Sequence, residues 1–234
     1  MPRSREEWKT YGDVFDTFTF RTLFHLASTG IFDKIESPIA LGKESNVFSA
    51  KRGKGKVCLK IYRLEVADFK RMYEYIRTDP RYVELKHHQR KIVFAWTQRE
   101  YRNLLKAREA GLRCPTPLAF ENNVLVMELV GEKSPAPLLK NQPPQNPKKF
   151  MGMVIEDMKK LHDSGLVHGD LSEYNILNHN EIPVMIDFSH TTQKKNPIFD
   201  DLLARDIKNV ARYAVKIKSG FDEDKIKKKI LGKV

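Results

Sequence analysis

The chain has 234 residues, 41% of them hydrophobic, and its 42 Lys and Arg residues against 30 Asp and Glu give a formal net charge of +12. A globular chain of this length buries a core without disulfides, and its two cysteines, Cys58 and Cys114, are too few and too far apart for a disulfide framework or a zinc finger. No apolar run approaches the ~18 residues of a membrane helix, and the first residues lack the apolar segment of a signal peptide, so we expect a cytoplasmic protein with no membrane partner. The positive charge indicates either an anionic partner or a solvated basic surface.

The first quarter of the chain changes from a helical to a strand pattern. Apolar residues recur at helical spacing over 5–29, which predicts an accessory helix that ends at Gly30. Short apolar segments at 39–41, 46–50 and 57–62 are joined by polar, glycine-containing turns. These segments predict an antiparallel meander of three strands.

The middle of the chain predicts one clear helix and one strand. Asp79-Pro80 is expected to break any helix within the charged and aromatic segment 63–95. Residues 97–110 predict a helix that stops at Gly111, followed by a loop marked by two prolines. Residues 123–130 predict a buried strand.

The second half predicts mainly helical structure. Five prolines within 131–147 predict a hinge between two parts of the protein. A helix over 150–161, a hairpin over 176–186 and a helical stripe over 203–217 follow. The lysine-rich tail, residues 225–233, is expected to fray.

The strongest chemical signal is a segment that begins at His168, reads His-Gly-Asp-Leu-Ser-Glu-Tyr-Asn-Ile-Leu, and is followed by an apolar hairpin with Asp187 at its end. Asp170 and Asn175 have the spacing of a kinase catalytic loop, in which the Asp faces the nucleophile and the Asn oxygen binds metal. Asp187 ends an apolar stretch, where a carboxylate needs a partner such as Mg²⁺. The structural alternative is that all three residues cap loops and turns. His168 is interpreted as organising this loop rather than binding metal.

Lys60 is the next candidate because it lies in the middle of an apolar strand. A kinase-type site carries such a lysine for the α- and β-phosphates, paired with a helix glutamate, and Glu100 is the best partner. An alternative for Glu100 is a capping box, since Thr97-Gln-Arg-Glu100 matches that motif at the predicted start of the helix. Both readings stay open at this point.

These motifs together resemble the RIO family of atypical serine protein kinases. The resemblance rests on Leu41-Gly-Lys-Glu-Ser-Asn-Val-Phe48, on the segment from His168 to Leu177, and on Ile186-Asp-Phe-Ser189. The segments 76–82 and 135–141 are similar to the type-one branch of the family, and the compact length resembles its archaeal members.

The resemblance implies an α+β, two-lobed protein-kinase-like fold. It divides the chain into an N-terminal helical segment at 1–30, an N-lobe with an antiparallel sheet at 31–130, and a mainly helical, truncated C-lobe at 131–234. It implies ATP and Mg²⁺ as cofactors, with Mn²⁺ as an alternative metal.

The resemblance also assigns roles. Asp170, Asp187 and Lys60 are the catalytic residues, and Asn175 and Asp187 are the metal ligands. The expected nucleotide contacts are Gly42, Lys43, Glu44, Ser45 and Val47 over the phosphates, Lys60 with Glu100, Asn175, and Met127, Glu128 and Val130 at the adenine.

The resemblance further implies phosphorylation of serine in the protein itself or in another protein. It also suggests ATP hydrolysis through an aspartyl-phosphate on Asp187 and a role in maturation of the small ribosomal subunit, with its RNA and proteins as partners of a monomer. Ser189 replaces the Gly of a D-F-G triplet, no A-P-E motif follows, and only 47 residues follow Asp187. We expect ordinary recognition of peptide substrates to be weak for these reasons, which favours an ATPase or assembly switch.

Two other function classes compete with this interpretation. Small-molecule kinases of the aminoglycoside or choline type also carry the His-x-Asp-x-x-x-x-Asn loop, so residues 168–175 alone do not separate the two. A basic RNA-binding scaffold with an inactive kinase fold would also explain the charge. The presence of Lys60, Asp170, Asn175 and Asp187 argues against that scaffold.

Overall fold

The computed structural model describes residues 15–65, 69–77, 85, 88–132 and 134–232. The chain divides into two compact units. The first unit comprises Met1–Tyr101 and Pro117–Leu129, and the second comprises Arg102–Thr116 and Val130–Val234. In the described part of the chain, no helix is both long and apolar enough to cross a bilayer.

The first unit is built on a five-stranded antiparallel sheet. The strands lie in the order β1-β2-β3-β5-β4, so the predicted meander of the first three strands is confirmed. The strands are β1 Lys34–Leu41, β2 Ser45–Arg52, β3 Gly55–Tyr62, β4 Pro117–Glu121 and β5 Val124–Glu128, and the helices are α1 Thr17–Ser28, α2 Phe69–Ile76 and α3 Gln89–Glu109, of which α3 continues into the second unit.

The first unit has its core between α1 and the sheet. The Asp16 side chain caps α1 by accepting hydrogen bonds from the backbone N–H groups of Phe18 and Thr19. Apolar residues of α1 and of alternate positions on the strands then form one buried cluster, which includes Leu23, Phe48 and Leu59. The expected accessory helix is therefore present from Thr17, while residues 5–14 of that prediction lie outside the described residues.

The second unit is mainly helical. Its elements are α4 Pro147–Asp163, β6 Leu166–Val167, β7 Ile176–His179, β8 Ile182–Met185, β9 Thr192–Gln193, α5 Phe199–Lys216 and α6 Glu223–Leu231. β7 and β8 form the predicted hairpin, and β6 pairs with β9. The antiparallel sheet and the helices together confirm the α+β class.

Two boundary predictions were wrong near the middle of the chain. The helix predicted to begin at Thr97 begins at Gln89, so Thr97 lies inside α3 and its hydroxyl donates to the carbonyl of Val93 at 2.9 Å. The capping-box interpretation of Glu100 is wrong for this reason. Pro117, expected in a loop, instead begins β4, an edge strand in which a missing N–H is tolerated. The break predicted at Asp79-Pro80 lies outside the described residues.

The lysine-rich tail was expected to fray, and that expectation was wrong. Residues 225–231 lie in α6, which packs against α4 and α5. Ile226 and Ile230, four positions apart, are both buried, and the Asp222 side chain caps the helix by accepting from the N–H of Lys225 at 2.9 Å. Two apolar residues on one face were enough to dock a segment whose composition is polar.

Candidate active site

Lys60 and Glu100 form a buried ion pair in the first unit. Lys60 lies in the middle of β3, in register with Val47 of β2 and Leu125 of β5. Its Nζ atom lies 2.8 Å from Oε1 of Glu100 on α3, and the side chains are 6% and 1% exposed. The expected pairing is therefore present, and a buried charge of either sign is costly without such a partner.

Tyr62 is a member of this cluster that the sequence interpretation missed. Its hydroxyl donates to Oε2 of Glu100, so both oxygens of that carboxylate are held. Tyr62 and Lys60 stand two positions apart on β3 and therefore share a face of the sheet, which is the signal that could have identified it. Glu100 is fixed by two residues of one strand.

Cys58 lies on the same strand. Burial raises the pKa of its thiol to about 12, although the charge of Lys60 opposes that shift. A thiol with this pKa stays protonated at neutral pH, so it is a poor nucleophile. Cys58 and Cys114 are both buried, and neither forms a disulfide.

The residues predicted to cover the phosphates form the tight connection between β1 and β2. The N–H of Gly42 donates to the carbonyl of Ser45 at 3.0 Å. A Cβ atom at Gly42 would lie 2.8 Å from that same oxygen, so the turn requires a glycine there. Lys43 is exposed, Glu44 is half-buried, and Val47 of β2 lies opposite Lys60.

The residues predicted to contact adenine lie at the end of β5 and just beyond it. Met127 and Glu128 pair in register with Cys58 and Val57 of β3. Val130 belongs to the second unit, where its carbonyl accepts a hydrogen bond from the N–H of Ala136 at 2.8 Å. Glu128 is exposed, whereas Met127 and Val130 are buried.

Asp170, Asn175 and Asp187 are brought together in the second unit. The amide nitrogen of Asn175 donates to the Asp170 carbonyl at 2.7 Å and to Oδ2 of Asp170 at 3.2 Å. The backbone carbonyl of Asn175 accepts from the N–H of Ile186, the residue before Asp187, at 3.0 Å. These bonds hold the loop residues next to the end of the β7–β8 hairpin.

Asp187 has a backbone conformation that is unusual for an aspartate. Its φ of 64° and ψ of 71° lie in the left-handed region, directly before a turn of 3₁₀ helix at Phe188–His190. The Ser189 hydroxyl donates to Oδ1 of Asp187 at 2.7 Å. Ser189, which replaces the glycine of a D-F-G triplet, therefore orients the carboxylate beside it.

Asp206 on α5 anchors the loop that carries Asp170, and the sequence interpretation missed it. Its two oxygens accept from the backbone N–H groups of Gly169 and Leu171, each at 2.8 Å. Arg205 donates to the Gly169 carbonyl. Asp206 falls within the apolar stripe of α5, three positions after Leu203, and an acidic residue on a buried helix face was the available signal.

The pKa of Asp206 is raised to about 7. Burial is the main cause, and the charge of Asp170 adds to it, while the two backbone N–H groups and Arg205 act in the opposite direction. The carboxylate that fixes the loop therefore titrates near neutral pH.

Gly169 lets the chain pass close to the segment that follows Asp187. Its φ is 81°, and a Cβ atom there would lie 2.7 Å from the carbonyl oxygen of His190. His168 bonds through Nε2 to the Ile186 carbonyl at 3.0 Å, and its ring lies 4.9 Å from that of Phe188. This agrees with its predicted role as an organiser of the loop.

The donor set of the second unit fits Mg²⁺ bound with a nucleotide. Because the Asn175 nitrogen donates to Asp170, its Oδ1 remains as an oxygen ligand, and Asp187 supplies a carboxylate. Among the described residues, no group of three or more His, Cys, Asp and Glu side chains could hold a metal ion. Mg²⁺ usually needs no such cage, since it binds one or two carboxylates together with substrate phosphates.

Comparison with known proteins identifies the family. The family model of the RIO domain matches residues 46–226. A protein of Haloferax volcanii named RIO-type serine/threonine-protein kinase Rio1 is 40% identical over 213 residues, which are 90% of this chain and 73% of that protein. A protein of the same name from Methanocaldococcus jannaschii is 41% identical over 210 residues, which cover 89% of this chain and 72% of that protein.

A solved structure agrees with the fold. The Rio2 kinase of Chaetomium thermophilum, in a complex with ADP, Mg²⁺ and phosphoaspartate, matches with a TM-score of 0.69 at 22% identity. The match covers 92% of this chain but 66% of that one, slightly less than two thirds. The fold is therefore kinase-like, and the chain belongs to the RIO domain family, that of the RIO-type serine/threonine-protein kinases.

Proposed function

We propose that this protein transfers the γ-phosphoryl group of Mg²⁺-ATP to a serine or threonine hydroxyl, its own or that of another protein. The observation that supports the proposal is the bonding of Asn175 to Asp170 and to Ile186, because these bonds hold Asp170, Asn175 and the residue before Asp187 close to one another. Phosphoryl transfer requires these positioned groups more than covalent chemistry by the protein.

Each residue then has a distinct task. Asp170 orients the attacking hydroxyl and accepts its proton. Asn175 and Asp187 would hold Mg²⁺, which neutralises the developing negative charge on the phosphates. Lys60 binds the α- and β-phosphates of ATP, and Glu100 and Tyr62 hold its position on the strand.

A second acceptor of the phosphoryl group is Asp187 itself. A carboxylate oxygen of Asp187 would attack the γ-phosphorus, the bond to the β-phosphate oxygen would break, and ADP would leave. Water would then hydrolyse the acyl-phosphate, so the net reaction is ATP hydrolysis. The name of the matching Rio2 structure includes a phosphoaspartate, which supports this route.

Labelled ATP distinguishes the two acceptors. The protein is incubated with Mg²⁺ and [γ-³²P]ATP and then tested for acid-stable phosphoserine and for a label that hydroxylamine releases. Asp187→Asn should abolish the hydroxylamine-sensitive label, and Asp170→Asn should abolish the acid-stable one. Absence of both labels and of ADP formation by the folded wild-type protein would refute the proposal.

We further propose that the enzyme acts on the maturing small ribosomal subunit. The resemblance to the RIO family and the net charge of +12, which suits a surface rich in phosphates, support this role. Cosedimentation with purified small-subunit precursors, with mature large subunits as the control, tests it. Equal binding to both particles would contradict the role while leaving the phosphoryl-transfer proposal intact.

A further inference from the structure

The second unit contains a cavity of about 490 Å³ that the proposed chemistry does not use. It lies where the last turn of α3, the turn after α4 and the residues after β9 meet. We call this cavity the lysine pocket, and its polar lining residues are Lys106, Glu109, Ser164, Gln193, Lys194 and Lys195.

The lysine pocket has an excess of positive charge. Three of the lining residues are lysines, Lys106, Lys194 and Lys195, and one, Glu109, is acidic. Nearby on α4, Lys159 and Lys160 lie 2.6 Å and 3.1 Å from carboxylates. Within the described residues, by contrast, no ion pair joins a lysine of the pocket to a carboxylate. Lys194 and Lys195 are exposed and Lys106 is half-buried, so all three lysines remain open to an anion from solution, and a bound anion would offset their like charges.

The chemistry of the lining indicates which anion fits. None of the described residues that line the pocket is an arginine or an aromatic residue. Recognition of a phosphorylated side chain typically uses the bidentate fork of arginine, whereas lysine acts as a point charge that tolerates many geometries. Without an aromatic ring, the pocket offers no surface on which a base can stack.

We propose that the lysine pocket binds the phosphodiester backbone of an RNA strand, without regard to its base sequence. The Ser164 hydroxyl and the Gln193 amide supply neutral donors beside the three lysines. The identity of this RNA as ribosomal rests on the proposed role in small-subunit maturation, but the binding chemistry does not.

The pocket is adjacent in the chain to the candidate active site but separate from it. Gln193 pairs with Leu166, and Val167 at the end of β6 is followed by His168. The side chains of the pocket make none of the hydrogen bonds that hold Asp170, Asn175 and Asp187. Removal of its charges should therefore leave Mg²⁺-ATP binding unchanged.

The test compares two triple variants of equal net charge. The first, Lys106→Gln/Lys194→Gln/Lys195→Gln, removes the charge of the pocket. The control, Lys216→Gln/Lys227→Gln/Lys228→Gln, removes three exposed lysines of α5 and α6. Binding of fluorescent single-stranded RNA of about 16 nucleotides is measured by anisotropy, with one oligouridine and one mixed sequence.

The pocket variant should bind both RNAs about tenfold or more weakly than the wild-type protein between about 50 and 200 mM salt. The slope of log K against log salt concentration should become shallower by about 2, since each lost lysine–phosphate contact removes roughly 0.7 for a single strand. The control variant should retain a higher affinity for RNA and a steeper salt dependence than the pocket variant. Equal losses in the two variants would overturn the proposal, because they would show that net charge alone acts.

Two further measurements test the kind of ligand that the pocket binds and its independence from the nucleotide site. If a phosphoserine peptide binds the wild-type protein and competes with RNA only when the pocket is intact, the pocket reads phosphorylated side chains and the RNA proposal is wrong. Calorimetric titration with Mg²⁺-ATP tests the proposed function separately. Loss of nucleotide binding in the pocket variant would contradict the separation of the two sites.

Discussion

Nζ of Lys60 and Oε1 of Glu100 lie 2.8 Å apart, and both side chains are almost entirely buried. The pair joins β3 to α3, and the Tyr62 hydroxyl holds the second oxygen of Glu100. A buried pair of this kind adds little net stability compared with apolar residues, but removal of one partner leaves an uncompensated charge. A lysine charge held in this way suits the proposed role of Lys60 in binding the phosphates of ATP.

Lys60→Met should therefore weaken both folding and nucleotide binding. The free energy of unfolding should fall by about 3 kcal/mol, because the buried Glu100 carboxylate loses the ammonium group that balances its charge. Lys60→Met/Glu100→Gln should recover part of that loss, since the charge is neutralised, but it should not recover Mg²⁺-ATP affinity. Denaturant unfolding and calorimetric titration measure the two effects. Recovery of affinity in the double variant would remove Lys60 from the nucleotide site.

Asp170→Asn should lower turnover by a factor on the order of 10²–10⁴, because the amide cannot accept a proton from the attacking hydroxyl. The amide nitrogen of Asn175 can still donate to the carbonyl of residue 170, so the fold of the loop and the affinity for Mg²⁺-ATP should persist. Glu156→Gln, which removes an exposed carboxylate of α4, is the control. Wild-type turnover in Asp170→Asn would exclude its role as the base.

Ser189→Ala should raise the Mg²⁺ concentration required for half-maximal ATP turnover by about tenfold. The substitution removes the hydrogen bond to Oδ1 of Asp187, and loss of a group that orients a metal ligand typically costs 10–100-fold in metal affinity or activity. Ser219→Ala is a matched control, since Ser219 is also buried and its hydroxyl donates to the Ala214 carbonyl. An unchanged Mg²⁺ requirement in Ser189→Ala would show that Asp187 needs no such orientation.

Asp206 should make stability depend on pH between about 4 and 7. Its folded-state pKa of about 7 lies above the ordinary value of 3.8, so the folded protein holds the proton more tightly than the unfolded chain. This contribution to stability is fully present below about pH 4 and is lost as pH rises through 7, with a size on the order of a few kcal/mol. The unfolding free energy should fall over that range in the wild-type protein.

Asp206→Asn should flatten that dependence, because it removes the titrating group. It should also lower stability at every pH, since one of the N–H groups of Gly169 and Leu171 loses its acceptor. Denaturant unfolding of both proteins across the range measures the two slopes. Identical slopes would show that Asp206 titrates with an ordinary pKa.

The local sequence predicted much of the candidate site because its residues are close together in the chain. Asp170 and Asn175 are five positions apart, and a short hairpin then delivers Asp187. The pairing of Lys60 with Glu100 was predicted from the pattern of kinase-type sites, in which a strand lysine pairs with a helix glutamate. The helix start predicted at Thr97, which was wrong, also rested on the local sequence. Thr97 resembles a helix cap only if the eight preceding residues are not helical, and those residues belong to α3.

The sequence by itself determined the meander, the hairpin and the identity of the acidic and basic groups, because apolar periodicity and turn residues are short-range signals. The tertiary structure decided which other residues hold those acidic and basic groups in place. Asp206 reaches Gly169 across 37 positions, and the docking of α6 depends on a surface of α4 and α5 that no local pattern encodes. Burial raises the pKa of Asp206, and burial exists only once distant segments pack. The lysine pocket also exists only in the folded chain, because it brings residues of α3 together with residues that follow α4 and β9.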